Sequence, residues 1–142
     1  MQKQIESLLK AASIEAKVTV AEENETIMVT IDGEDNALLI GKHGNTLSSL
    51  EHIIALMVAK NTGEFKHVTV EVGDYRKERE EYLRDLVSRL KEEVLTTGVS
   101  KSIQGLKPWE RRLVHMYLAD DTDVVTESEG EDRERTLYIK KK

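Results

Sequence analysis

The sequence predicts an α+β fold made of two small units, and three observations carry that prediction. Apolar residues alternate with polar ones in several short runs, recur at helical spacing in several longer ones, and are punctuated by glycines at Gly41, Gly44, Gly63, Gly73 and Gly98. A chain of 142 residues is long enough for one medium domain or two small ones that pack together.

The elements follow in chain order. Ile5, Leu8, Leu9 and Ala12 of MQKQIESLLKAASIEAK form a helical stripe, unlike the unbroken apolar block of a signal peptide, so no export is expected. Val18 and Val20, then Ile27, Val29 and Ile31, alternate on either side of the polar turn Glu22-Glu23-Asn24-Glu25, which reads as a hairpin with one buried face. Asp32-Gly33-Glu34-Asp35-Asn36 is a turn with helix N-cap residues, and Ala37 to Ile40 is a short helix stopped by Gly41. Leu47, Leu50, Ile54, Met57 and Val58 repeat at helical spacing up to Lys60, and Asn61-Thr62-Gly63 closes that helix. Val68, Val70 and Val72 then alternate as a third strand.

The boundary is expected near Gly73, giving a unit over 1–73 and a second over 74–142 that opens with a long helix, 75–97. Tyr75, Arg79, Tyr82, Leu83, Leu86, Leu90 and Val94 form one face of that helix, with Asp74 as its cap and Gly98 past its last turn. Ser100 to Leu106 is short and extended, and Pro108 fixes the first turn of a helix that runs to about Ala119. Leu113, Met116 and Trp109 are expected on its core stripe. Val124 and Val125, then Leu137 and Ile139, are strands around the turn Ser128-Glu129-Gly130-Glu131-Asp132.

Composition narrows the function classes. No apolar run approaches the roughly twenty residues that cross a bilayer, so no membrane insertion is expected. Zero cysteines exclude disulfides and thiolate zinc sites, and are compatible with a reducing cytoplasm, the location expected here. A net charge of -6 argues against a protein that coats polyanions with its whole surface. The acid is concentrated in residues 1–73, with six Lys and Arg against eleven Asp and Glu, while 74–142 carries fifteen against sixteen. Within the acidic half, 36–61 is the exception, with Lys42, Lys60, His43 and His52 against Glu51.

That exception contains LIGKHGNTL, from Leu39 to Leu47. Gly41 and Gly44 bracket Lys42-His43 directly before a helix that opens at Asn45, whose free N–H groups and dipole favour an anion. A P-loop does not fit, because His43 stands where Ser or Thr should follow the lysine. Two accounts remain open on these residues. Gly41 and Gly44 serve a phosphate backbone, or they are a helix stop and a turn beside a solvated lysine.

The same stretch, helix before and helix after, resembles the GxxG loop of a KH domain, in the helix-first, strand-last order of the type II form, with helices on a three-stranded sheet. The resemblance implies a loop that clamps about four single-stranded nucleotides. Gly41 and Gly44 would permit the approach, with Lys42 and His43 facing phosphate at the Asn45 helix start. Leu38, Ile40 and residues near Leu47 and the second strand would then line the base groove.

In LKPWERRLVHMYL, Arg111 and His115 stand four apart and share a helix face, a spacing that suits phosphate contact and equally a surface Arg beside an acid and a satisfied His. With SEGEDRERTLYI behind it, the stretch resembles the R-three-H domain, a small α+β binder of single-stranded nucleic acid. The resemblance implies Arg111 and His115 as the motif pair, Arg112 and Arg135 as secondary contacts, and Ser128 and Gly130 as structural turn residues. A KH domain followed by an R-three-H domain resembles the Jag, or SpoIIIJ-associated, family over nearly the whole chain. Many members begin with a further small domain, whereas these residues begin at the first KH helix.

The expectation is therefore a non-enzymatic binder of single-stranded RNA, or single-stranded DNA, of the post-transcriptional regulator or RNA chaperone type. With few aromatics, most of them expected in the core, base stacking should be modest. The alternative is an adaptor that forms a homodimer, or a heterodimer with a small partner KH protein. Catalysis has least support, since His115 has no Ser or Asp at catalytic spacing and Asp120-Asp121-x-Asp123 lacks the glycine and final Glu of a calcium loop. No metal, cofactor or catalytic residue is expected.

Overall fold

The computed structural model describes residues 1–131 and 134–142, and the chain falls into two compact units, Met1–Arg76 and Lys77–Lys142. The Asp132 end of the predicted turn lies outside the described residues.

The first unit runs α1 (Gln2–Ala11), β1 (Ala16–Glu23), β2 (Thr26–Gly33), α2 (Asn36–Ile40), a 3-10 turn (Lys42–Gly44), α3 (Asn45–Thr62) and β3 (His67–Val72). Its sheet has the order β1-β2-β3, antiparallel between β1 and β2 and parallel between β2 and β3. The alternation of Val18, then Ile27, Val29 and Ile31, then Val68, Val70 and Val72 places all seven side chains in one core. Against them pack Ile5 and Leu9 of α1, and Leu47, Leu50, Ile54 and Val58 of α3. The hairpin turn is tighter than the four polar residues suggest. Glu23 still pairs with Thr26, and only Asn24 and Glu25 turn, both at positive φ (50° and 65°), as a two-residue loop matched to strand twist requires.

The second unit takes most of α4 (Tyr75–Thr97), then β4 (Lys101–Gln104), α5 (Pro108–Leu118), β5 (Val124–Glu129) and β6 (Thr136–Lys141). Its sheet is antiparallel in the order β4-β6-β5, so β6 is central, and its Leu137 and Ile139 are fully buried. Three expectations need correcting. On α4, Tyr82 is 53% exposed and the buried face is Leu83, Val87 and Val94. On α5, Met116 is 67% exposed, and the stripe that meets the core is Glu110, Val114 and Leu118. Strand β5 continues through Ser128 and Glu129, which pair with Leu137 and Thr136, where a turn was expected.

The α5 correction has a physical cause. Glu110 is wholly buried because both carboxylate oxygens are satisfied: Arg79 Nε donates to Oε1 at 2.8 Å, and the Lys107 N–H donates to Oε2 at 2.9 Å. A buried charge so paired can occupy a core position that an isolated one could not.

Candidate nucleic-acid interface

In the first unit the site is made by backbone. Helix α2 closes with the Gly41 N–H on the Ala37 carbonyl at 3.0 Å, and Gly41 then takes φ 70°, ψ -171°, a conformation essentially reserved for glycine. A Cβ there would lie 2.1 Å from Thr46 Oγ1 and 3.0 Å from the Thr46 backbone nitrogen, so side-chain adjustment alone could not make room. Gly44, at φ 77°, is buried, and a Cβ on it would lie 2.9 Å from the Tyr75 hydroxyl and 3.2 Å from its ring. Between them His43 is held at φ 53°, ψ 29°, the left-handed region uncommon for a non-glycine residue.

Lys42 and His43 are both exposed at the tip of this loop, as are Asn45 and Thr46 at the start of α3. The N-cap of α3 is Gly44, which has no side-chain oxygen to offer the first-turn N–H groups. The positive end of an eighteen-residue helix therefore opens beside a lysine on a backbone without bulk. Leu38 is 65% exposed, and Ile40 is half-buried with its apolar surface against the core. Leu47, expected beside the groove, belongs to the core.

In the second unit the site is made by side chains. Arg111 donates from Nη1 to the Leu106 carbonyl at 2.7 Å, a backbone partner where an acid was one expectation. His115 is bonded at both ring nitrogens, Nδ1 to Thr126 Oγ1 at 2.6 Å and Nε2 to Ser128 Oγ at 2.9 Å. Burial pushes the imidazole below its ordinary value of 6.5, and the nearby Arg135 and Arg111 cations push it the same way. Arg111, His115 and Arg135 are thus electrostatic neighbours, while Arg112 and Arg135 are themselves exposed.

Sequence spacing missed Thr126 and Ser128; the serine that His115 reaches, at 2.9 Å, stands thirteen residues away on β5. The signal was available in the alternation of Thr126 and Ser128 on one strand face, but Ser128 was assigned to the turn. The expectation that most aromatics lie in the core also needs correcting, since none of the six is fully buried: Phe65 is 75% exposed, Tyr82 is exposed with the Arg79 guanidinium 5.0 Å from its ring centre, and the other four are half-buried. At the C-terminal end Lys140 pairs with Glu127 at 2.6 Å and Lys142 donates to the Asp121 carbonyl at 2.7 Å. Asp121 itself accepts the N–H groups of Asp123 and Val124, which holds the turn into β5.

A family model described as the KH domain of KhpA/KhpB matches residues 2–72, and the R-three-H domain model matches residues 81–141. The chain is 35% identical over 138 residues to the RNA-binding protein KhpB of Clostridium symbiosum, covering 95% of this chain and 62% of that protein. It is 35% identical over 140 residues to the RNA-binding protein KhpB of Bacillus subtilis (strain 168), covering 97% and 67%. Against the RNA-binding protein KhpB of Lactiplantibacillus plantarum it is 29% identical over 133 residues, 94% of this chain and 41% of that one.

Proposed function

The chain belongs to the KhpB family, with a KH domain followed by an R-three-H domain, and on that premise we propose that it binds single-stranded RNA without catalysing a reaction on it. The observation that carries the reading is the Gly41 to Gly44 loop. Two glycines open the backbone over a helix N-terminus, and Lys42 and His43 stand exposed between them. A sugar-phosphate backbone is the ligand such a surface accepts, because it offers anionic oxygens and tolerates close approach. With a net charge of -6, shape and oriented N–H groups must supply what diffuse charge does not.

Lys42, His43 and the Asn45 helix start are the phosphate side of this site, and Leu38 and Ile40 the apolar side. Arg111, His115, Arg112 and Arg135 form the second contact. The two raise each other's effective affinity where both reach one strand. The test is a titration of a short single-stranded RNA against wild type and a Lys42→Asp, His43→Asp variant over a range of salt. Weaker binding with a shallower salt dependence is expected; equal affinity and slope would remove the loop from the site. A parallel titration with the matching single-stranded DNA decides between the two nucleic acids.

A bacterial RNA binder of the regulator or chaperone type acts where transcripts are, so we place it in the cytoplasm; its relatives are bacterial proteins. No helix among the described residues is long and apolar enough to cross a membrane. Pairing with a second KH domain, of another copy or of a small KH protein, is the second reading. It is favoured by Ile53 and Leu56, 44% and 51% exposed and three residues apart on α3. Light scattering on wild type and Ile53→Asp, with and without RNA, checks it: a monomer in every case would end that reading.

A further inference from the structure

The second unit holds an arrangement that the paired Arg and His do not by themselves explain. Both nitrogens of the His115 ring are engaged with hydroxyls of one strand, so the ring can neither rotate nor reach outward without breaking a bond. A neutral imidazole has one donor and one acceptor nitrogen, and its two partners must therefore play opposite roles. Bonds donated by O–H are shorter than those donated by N–H. The 2.6 Å contact then suits Thr126 donating its O–H to Nδ1, and the 2.9 Å contact suits Nε2–H donating to Ser128 Oγ. In that tautomer Thr126 spends its proton on the ring. Ser128 receives one, and its own O–H is left to donate elsewhere.

We infer that Ser128 is a nucleic-acid contact of the second unit, its hydroxyl presented by His115 to a phosphate oxygen, with Thr126 as the positioning residue that fixes the ring. The inference rests on the reading of the chain as an RNA binder. Three observations support it. Ser128 is half-buried, and among the described residues its hydroxyl has no bond besides that to His115. The His115 ring that touches Ser128 stands in the field of Arg135 and Arg111, so the charge around this contact is positive. Partial burial and the same cations favour the neutral ring that the relay uses. His115 thus acts through Ser128, and the positive charge of the site comes from arginine.

The test has one arm without RNA and one with it, both on the full chain. In the free protein, ring-nitrogen NMR at neutral pH should show His115 as the Nε2–H tautomer, and Thr126→Val should move it toward a mixture of tautomers. An Nδ1–H tautomer, or no response to Thr126→Val, overturns the relay. With a short oligouridylate RNA, Ser128→Ala should weaken binding on the order of fivefold while Ser128→Thr, which keeps the hydroxyl, stays within about twofold of wild type. Because the residues act as a unit, the His115→Ala, Ser128→Ala double variant should bind no more weakly than His115→Ala alone. Amide spectra show whether each variant is folded, and Ser128→Thr keeps the test decisive if Ser128→Ala is not. Wild-type affinity in folded Ser128→Ala, or additive losses in the double variant, would overturn this inference alone. Absence of any RNA binding by wild type would overturn it together with the proposed function.

Discussion

The two units build their candidate contacts from opposite materials. In Met1–Arg76 the site is an absence of side chains, with Gly41 and Gly44 clearing the backbone and α3 supplying its N-terminus. In Lys77–Lys142 it is a cluster of side chains held by one another, with His115 on Thr126 and Ser128 and Arg111 on the Leu106 carbonyl. The cores differ in the same way. The buried cluster of the first unit is apolar, while Glu110 with Arg79 penetrates that of the second. A backbone site is rigid by geometry and loses function through added bulk. A side-chain site loses it through a broken bond.

Variants can break this contrast, beginning with the core. Glu110→Ala leaves Arg79 beside a hole without its counter-charge and should cost about 3–5 kcal/mol in urea unfolding of the second unit. The pair Arg79→Met, Glu110→Leu should recover most of that loss, and a single variant costing under about 1 kcal/mol would mean the pair is not the lock described. Val70→Ala, in the first unit, should cost about 2–3 kcal/mol, from the lost transfer free energy and the cavity alone.

Next in size is Gly41→Ala. The backbone conformation costs about 1–3 kcal/mol for any residue with a Cβ, and the contact with Thr46 adds to it, so both stability and RNA affinity should fall. If affinity falls while stability holds, the loop has moved and the fold has not. The Lys42→Asp, His43→Asp variant should leave unfolding within about 0.5 kcal/mol of wild type, because both side chains are exposed, and act on binding only.

The smallest effect is a pH dependence. His115 takes up its proton at lower pH when folded than when unfolded, where its value is the ordinary 6.5. As pH falls, the unfolded chain binds the proton first, so this contribution to stability is complete well above 6.5 and declines as pH drops toward the folded value. His115→Gln should flatten that part of the stability curve. A wild-type curve that rises on acidification through the same range would contradict it.

Local features were legible because local chemistry decides them. The period-two runs Ile27-Val29-Ile31 and Val68-Val70-Val72 became neighbouring strands, and the Gly41 and Gly44 punctuation became a turn between two helices. What sequence reading missed depends on distant partners. The phase of α5 is set by Glu110 meeting an arginine 31 residues earlier, which no helical wheel contains. Ser128 reaches a histidine 13 residues earlier because β5 continues past the expected turn. The crowding of Gly41 by Thr46 and of Gly44 by Tyr75 was equally out of reach, although the glycines themselves were not.

The floor under Gly44 has a practical consequence for dividing the chain. The ring that occupies the space of its missing Cβ belongs to Tyr75, and Arg76, the next residue, pairs with Glu51 on α3 at 3.0 Å and with Glu71 on β3 at 2.9 Å. A fragment cut at Gly73, where the pattern of strands ends, would keep every apolar core residue and yet leave the loop unbacked. Such a fragment would look folded in its amide spectrum while its loop wandered, and weak RNA binding by it would be misread as a property of the domain. The shortest faithful piece of the first unit ends after Arg76, with enough of α4 beyond it to hold both residues in helix.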